Sequence, residues 1–209
     1  MTRQQDKGIA IALPEVDWVL EGVFLGGEGP DVAGAVVAPP HPLYGGSMDS
    51  PVVNELAHAL KRAEYATVRF NWRGVGASGG QPSGEDSDAD ADYAASLAYL
   101  EETVSGPLLA AGYSFGAATA VRVAARSPRV RRLVLVAPPP ALLDADALTS
   151  FKGSALVLAG EHDSFAPPAE LDALLGDDPR LCLEVIPDAD HFFMQGLVEV
   201  SRRTTSWFA

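Results

Sequence analysis

The feature that most constrains this chain is its alternation between short, unbroken apolar runs and segments of helical period. VAGAVVAP (32–39), ATVRFNW (66–72), PLLAAGY (107–113), RLVLVAP (132–138), SALVLAG (154–160) and LCLEVIP (181–187) all have strand length. Their apolar residues run on rather than alternate with polar ones, the pattern of strands covered on both faces. Between them, PVVNELAHALKRAE (51–64) gathers Val52, Val53, Leu56, Ala57 and Leu60 on one side of a helix. Residues 86–104 do the same with Tyr93, Leu97, Leu100 and Val104. Strands joined by helices predict an α/β fold, a mostly parallel central sheet with helices on both faces. The first 28 residues hold no helical segment between their apolar runs and are expected to form one or two antiparallel edge strands. A chain of 209 residues is read as one domain, 1–209.

Charge narrows the function classes. The 28 Asp and Glu outnumber the 15 Lys and Arg, a formal net charge of −13 that repels phosphate backbones and anionic lipid, so neither nucleic acid nor membrane is an expected partner. The excess is read as a solubility feature. Gly8–Leu13 is too short an apolar run for a secretory signal, being closed by Pro14 and Glu15. The longest uncharged stretch, Thr103–Val121, is broken by Gly106, Pro107, Gly112 and Gly116 and does not suit a membrane span. A cytoplasmic location is expected. Cys182 is the only cysteine, which excludes an intrachain disulfide, and its apolar run suggests a small core residue.

Ser114 stands where the strand PLLAAGY hands over to the helical FGAATAVRVAARS. Gly112-Tyr113-Ser114-Phe115-Gly116 fits G-x-S-x-G in the strand–turn–helix setting that motif requires. A serine hydroxyl needs a base to take its proton, usually a histidine held by a carboxylate. His191 follows the last strand in the loop DADHFF and is the preferred base, while His58 belongs to the first helix and His162 reads as a neighbour of the site. Asp163, just past the preceding strand, is the preferred acid, with Glu161 second and Asp188 and Asp190 shaping the histidine's loop. The order Ser114, Asp163, His191 matches one hydrolase class and neither protease alternative.

Negative charge developing on an attacked carbonyl oxygen needs backbone N–H donors. Phe115 supplies one by its place after the serine. The other is expected from APPHPLYGGSMDSP (38–51), where Pro39, Pro40 and Pro42 have no N–H to give. His41, Leu43, Tyr44 and the glycines keep theirs; Leu43 is preferred, Tyr44 second, with Gly45-Gly46 turning the backbone beneath the substrate.

Three further features invite other readings. FNWRGVGASGG (70–80) resembles a fragment of a nucleotide loop, but no helix opens there, and Arg73 is read as the loop's structural anchor. The aspartates at 86, 88, 90 and 92 are read as a helix start and solvated face. A metal hydrolase using His162, Asp163, Asp190 and His191 lacks ligand spacing on a shared face. Phe165, Phe192, Phe193, Met194 and Trp72 are candidates for pocket lining, or for packing.

With these residues in hand, the sequence resembles the α/β-hydrolases, and within them the small capless group of predicted bacterial hydrolases carrying HPHPLYGG, FNFRGVG and GYSFGA. The matching stretches are PPHPLYGGSM (39–48), FNWRGVGASGG (70–80), GYSFGA (112–117), GEHDSFAP (160–167) and ADHFF (189–193), with Pro39 where the group usually has histidine. The resemblance implies a serine-hydrolase triad with no metal or organic cofactor. Only residues 139–153 separate LVLVAP from SALVLAG, too few for a separate lid. The expected function is hydrolysis of a small-molecule carboxylic ester through an acyl-enzyme. A thioesterase or small peptidase with the same triad, or a non-catalytic binding protein of this fold, are the alternatives.

Overall fold

The structure, a computed structural model, describes residues 6–27 and 31–208. Eight strands form one sheet: β1 (Lys7–Ala12), β2 (Val19–Leu25), β3 (Gly34–Ala38), β4 (Ala66–Phe70), β5 (Leu108–Tyr113), β6 (Val130–Val136), β7 (Ser154–Gly160) and β8 (Leu181–Ile186), in the order β1-β2-β4-β3-β5-β6-β7-β8. The antiparallel pairs are β1–β2 and β2–β4, so both expected edge strands are present at one side; the pairs from β4 to β8 are parallel. Every residue of β3, β4 and β5 is buried. That accounts for their unbroken apolar character.

Among the described residues six helices cover the sheet: α1 (Pro51–Arg62), α2 (Asp86–Thr103), α3 (Phe115–Ala124), α4 (Ala145–Ser150), α5 (Pro168–Leu175) and α6 (Leu197–Ser206). α1 buries the predicted residues, with Pro51 starting the helix where its missing N–H costs nothing. It packs against α6, and α2 packs against α3. Strand order reverses after β4, so right-handed crossovers place α1 on one face and α2 to α5 on the other. The chains leaving β3 and β5, which are neighbours, therefore part toward opposite faces. Such a switch point opens a crevice at the carboxyl ends of the strands.

Two expectations need correction. Cys182 is exposed, because β8 is the last strand and its neighbours cover it incompletely. The acidic run does start α2, as expected, but it is solvated only in part. Asp86 and Asp90 pair with Arg122 at 3.0 and 2.8 Å, and Asp90 also with Arg126 at 3.1 Å. Asp88 and Asp92 pair with Arg73. Asp92 is 1% exposed, and burial raises its carboxyl pKa against the pull of the Arg73 guanidinium.

Arg73 is thus the anchor its loop was expected to contain: its Nε and Nη2 donate to Asp92 Oδ1 at 3.1 and 2.8 Å, and its backbone N–H to Oδ2 at 2.9 Å. The glycine-rich stretch around it is filled by its own chain. A Cβ on Gly79 would lie 2.4 Å from the Trp18 side chain, over which the Arg73 guanidinium stacks at 5.6 Å.

Candidate active site

Ser114 sits at the crevice between β3 and β5, between the last residue of β5 and the first of α3. Its N–H continues the ladder to Val136 O at 2.8 Å, and its backbone then turns to φ 55, ψ −118, a strained conformation for a residue with a side chain. Both glycines of the motif are required by close approach. A Cβ on Gly112 would lie 2.3 Å from the carbonyl carbon of Gly116, and one on Gly116 would lie 2.4 Å from Pro39 O. The turn is therefore tight enough to aim Oγ out of the sheet while α3 begins at once.

Three side chains meet there. Ser114 Oγ is 3.0 Å from His191 Nε2, and His191 Nδ1 is 2.8 Å from Asp163 Oδ2 and 3.0 Å from Oδ1. The Asp163 carboxylate is shut off from solvent. Its Oδ1 also accepts the N–H groups of Phe165 and Ala166, each at 2.8 Å, so its place is set by the loop after β7. Held this way, it orients the imidazole with Nδ1 as donor, leaving Nε2 to accept from the serine. Glu161, the second acid considered, lies elsewhere: its Oε2 accepts the N–H of Asp188 at 3.0 Å.

A fourth residue was not singled out in the sequence. Tyr113 OH donates to the backbone carbonyl of His191 at 2.8 Å. Burial, then the charges of Asp163 and Asp190, raise this phenol well above its ordinary pKa, so the proton it donates stays in place. The signal was its position: the residue before the nucleophile ends a buried strand yet carries a hydroxyl.

The oxyanion loop differs from expectation. Residues Pro42–Tyr44 close as a 3-10 turn capped by His41, whose Nδ1 accepts the Leu43 N–H at 3.2 Å. Tyr44 N–H and Gly46 N–H both go to His41 O, at 3.1 and 3.0 Å. The preferred donor Leu43, and Tyr44 behind it, are therefore already engaged. Burial lowers the His41 pKa, which keeps the ring neutral and able to accept. His41's own N–H has no acceptor among the described residues, and its ring lies 4.6 Å from that of Phe115. Phe115 opens α3, where a first-turn N–H has no partner inside the helix. The prolines before His41 act through their carbonyls: Trp72 Nε1 donates to Pro39 O at 3.2 Å and to Pro40 O at 3.0 Å.

The pocket-lining candidates divide. Trp72 and Phe193 are each 1% exposed and belong to the core, whereas Phe165 and Phe192 stand exposed beside the His191 ring and Met194 is exposed three residues further along the chain. Among the described residues no lid covers them: residues 137–153 hold only a 3-10 turn (Pro140–Leu142) and α4. The four residues of the metal alternative part company, since Asp163 and His191 bind each other and Asp190 Oδ1 accepts the Phe192 N–H at 3.0 Å. His162 instead gathers with Glu161 and Asp188, with ligand atoms within 4.8 Å of one another. Among the described residues this exposed group is the one that could hold a cation. No helix among the described residues is long and apolar enough to cross a membrane.

Sheet order, helix placement and the serine turn define an α/β hydrolase fold. Residues 41–154 match the alpha/beta hydrolase fold family, and the chain belongs to it. Among solved structures it is similar to an alpha-beta serine hydrolase homologue from Coxiella burnetii, with 30% identity, a TM-score of 0.85, and coverage of 100% of this chain and 99% of the other. An α/β serine hydrolase without lid from Xanthomonas campestris is 27% identical with a TM-score of 0.82, over 99% and 94% of the two chains. An uncharacterized protein of Rickettsia prowazekii is 28% identical, over 88% of this chain and 81% of its own length.

Proposed function

We propose that this protein is a serine hydrolase that cleaves carboxylic esters through an acyl-enzyme on Ser114. The observation that carries the reading is the unbroken line Ser114 Oγ, His191 Nε2, His191 Nδ1, Asp163 Oδ2, with links of 3.0 and 2.8 Å. His191 Nε2 takes the hydroxyl proton as Oγ adds to the ester carbonyl. Asp163 stabilises the imidazolium that forms. The carbonyl oxygen becomes an oxyanion held by the N–H of Phe115 and, in place of Leu43, by the N–H of His41, with the amino end of α3 adding its dipole. Nε2 then gives its proton to the leaving alkoxide. Water repeats the cycle and frees the acid.

An open site of this kind suits a small ester or one exposed on a larger molecule. Hydrolysis of p-nitrophenyl esters from acetate to decanoate, with Ser114→Ala beside the wild type, tests the reading. Turnover should fall by at least about 10³-fold in the variant, whose unfolding transition should match the wild type's. Equal activity in both would remove Ser114 from the mechanism.

A further inference from the structure

Charge is distributed unevenly between the two ends of the sheet, and the difference bears on what reaches Ser114. Among the described residues, the loops leaving β3 to β8 at the serine end carry one Lys or Arg, Arg73, and it is committed to Asp88 and Asp92. The same loops carry Asp49, Glu85, Asp144, Glu161, Asp188 and Asp190, all exposed. At the far end the signs are mixed: Lys61, Arg62, Arg131, Lys152 and Arg180 stand there beside Glu64, Glu101, Glu102, Asp177 and Asp178. Glu85 follows Gly84, where a Cβ would lie 2.9 Å from His41 Nε2 and 3.4 Å from Leu43 Cδ1, so an acidic residue adjoins the oxyanion loop itself. Asp190 precedes His191 in the chain, and its charge acts on Tyr113.

The rim between these charges is apolar and aromatic. Tyr44, 87% exposed, lies 4.8 Å from the His41 ring on one side of the serine. On the other, Phe165 and Phe192, 59% and 61% exposed, lie 4.9 and 5.6 Å from the His191 ring. Aromatic faces attract cations as well as apolar groups, and neither they nor the acidic loops offer a partner to an anion.

We propose that the site selects its ester by charge, preferring an apolar ester that bears a cationic ammonium group and turning away esters and thioesters that bear anions, including acyl groups on phosphate-bearing carriers. The inference rests on the serine-hydrolase reading and names the substrate class for that same site. A negative field over a lidless mouth concentrates cations and depletes anions before they meet the serine, an effect on encounter that salt suppresses.

The test uses three p-nitrophenyl esters of matched size whose acyl chains end in trimethylammonium, tert-butyl or carboxylate, alongside p-nitrophenyl phosphonates bearing the same three groups. At low ionic strength, kcat/KM and the rate of Ser114 phosphonylation should follow cation, neutral, anion. The extremes should differ by about tenfold or more, and the spread should shrink in high salt. Asp49→Lys combined with Glu85→Lys should narrow the spread, read as the ratio of kcat/KM for the cationic ester to that for the anionic one. Anionic reagents reacting as fast as neutral ones at low salt would overturn the charge inference and leave the hydrolase reading standing. Failure of all three phosphonates to label Ser114, with no ester turned over, would remove both.

Discussion

Two places at the carboxyl end of the sheet hold a buried carboxylate against a basic side chain, and they use the pair to opposite ends. After β4, Arg73 meets Asp92; after β7 and β8, Asp163 meets His191. Both aspartates are buried, 1% and 3% exposed, and both also accept backbone N–H groups. The difference lies in the base. Arginine keeps its charge and binds in a rigid fork, so the Arg73 pair fixes the glycine-rich loop. An imidazole can donate from one ring nitrogen while accepting at the other, so the His191 ring is able to link Asp163 to Ser114. On the proposed mechanism the same local chemistry gives a clamp at Arg73 and a proton relay at His191.

Asp163→Asn should break the relay most severely. The amide would donate to Nδ1 and force the proton onto Nε2, where it faces Ser114 and leaves no base. A loss of about 10³- to 10⁴-fold in kcat is expected, at an unchanged unfolding midpoint. Asp92→Asn should do the reverse, destabilising the fold by about 1–3 kcal/mol because Arg73 loses its buried carboxylate and keeps only Asp88, while the folded fraction keeps its kcat. Urea unfolding beside initial rates distinguishes them. If Asp92→Asn lost activity at full stability, the clamp would be part of the chemistry and the contrast would fail.

Much of this was legible in sequence because buried parallel strands write themselves as continuous apolar runs, and because the serine turn demands glycine where backbones touch. Asp163 and His191 were picked out by their place after β7 and β8, and the structure brings their side chains to 2.8 Å. The partners of the acidic run were not, for a physical reason. Aspartates at every second position of a helix face two ways, Asp86 and Asp90 toward Arg122 and Asp88 and Asp92 toward Arg73, and nothing along the chain says that arginines wait on both sides. Counting which loop residues still own an N–H identified the candidates for the oxyanion donor but missed that the His41 side chain caps the turn and occupies Leu43. Cys182 was misplaced because an apolar run does not reveal that its strand lies at an edge.

Arg73→Lys sharpens the comparison. It keeps the charge and removes the fork, so about 1.5–3 kcal/mol of stability should go, the worth of one charge-assisted hydrogen bond. Kinetics should not change. A double-mutant cycle with Asp92→Asn should show that most of the loss is shared by the pair, and additive losses would mean that Arg73 holds its loop chiefly through Asp88 and Trp18.

The smallest effect is expected where the relay touches its support. Tyr113 lies beside Ser114 in sequence and holds the main chain of His191 through one hydrogen bond of 2.8 Å, so it joins base and nucleophile without meeting the substrate. Tyr113→Phe removes the hydroxyl and keeps the ring, which packs against those of His191 and Phe193. It leaves the His191 carbonyl without that donor at a cost of about 1 kcal/mol. If Tyr113 positions the base, kcat should fall several-fold with KM unchanged, since the imidazole would drift from Oγ without altering the mouth of the site. A loss of stability with kcat intact would instead assign the hydroxyl to the core. The His191 loop would then owe its place to Asp163 and to the ties that Glu161 and His162 make with Asp188 and Ala189.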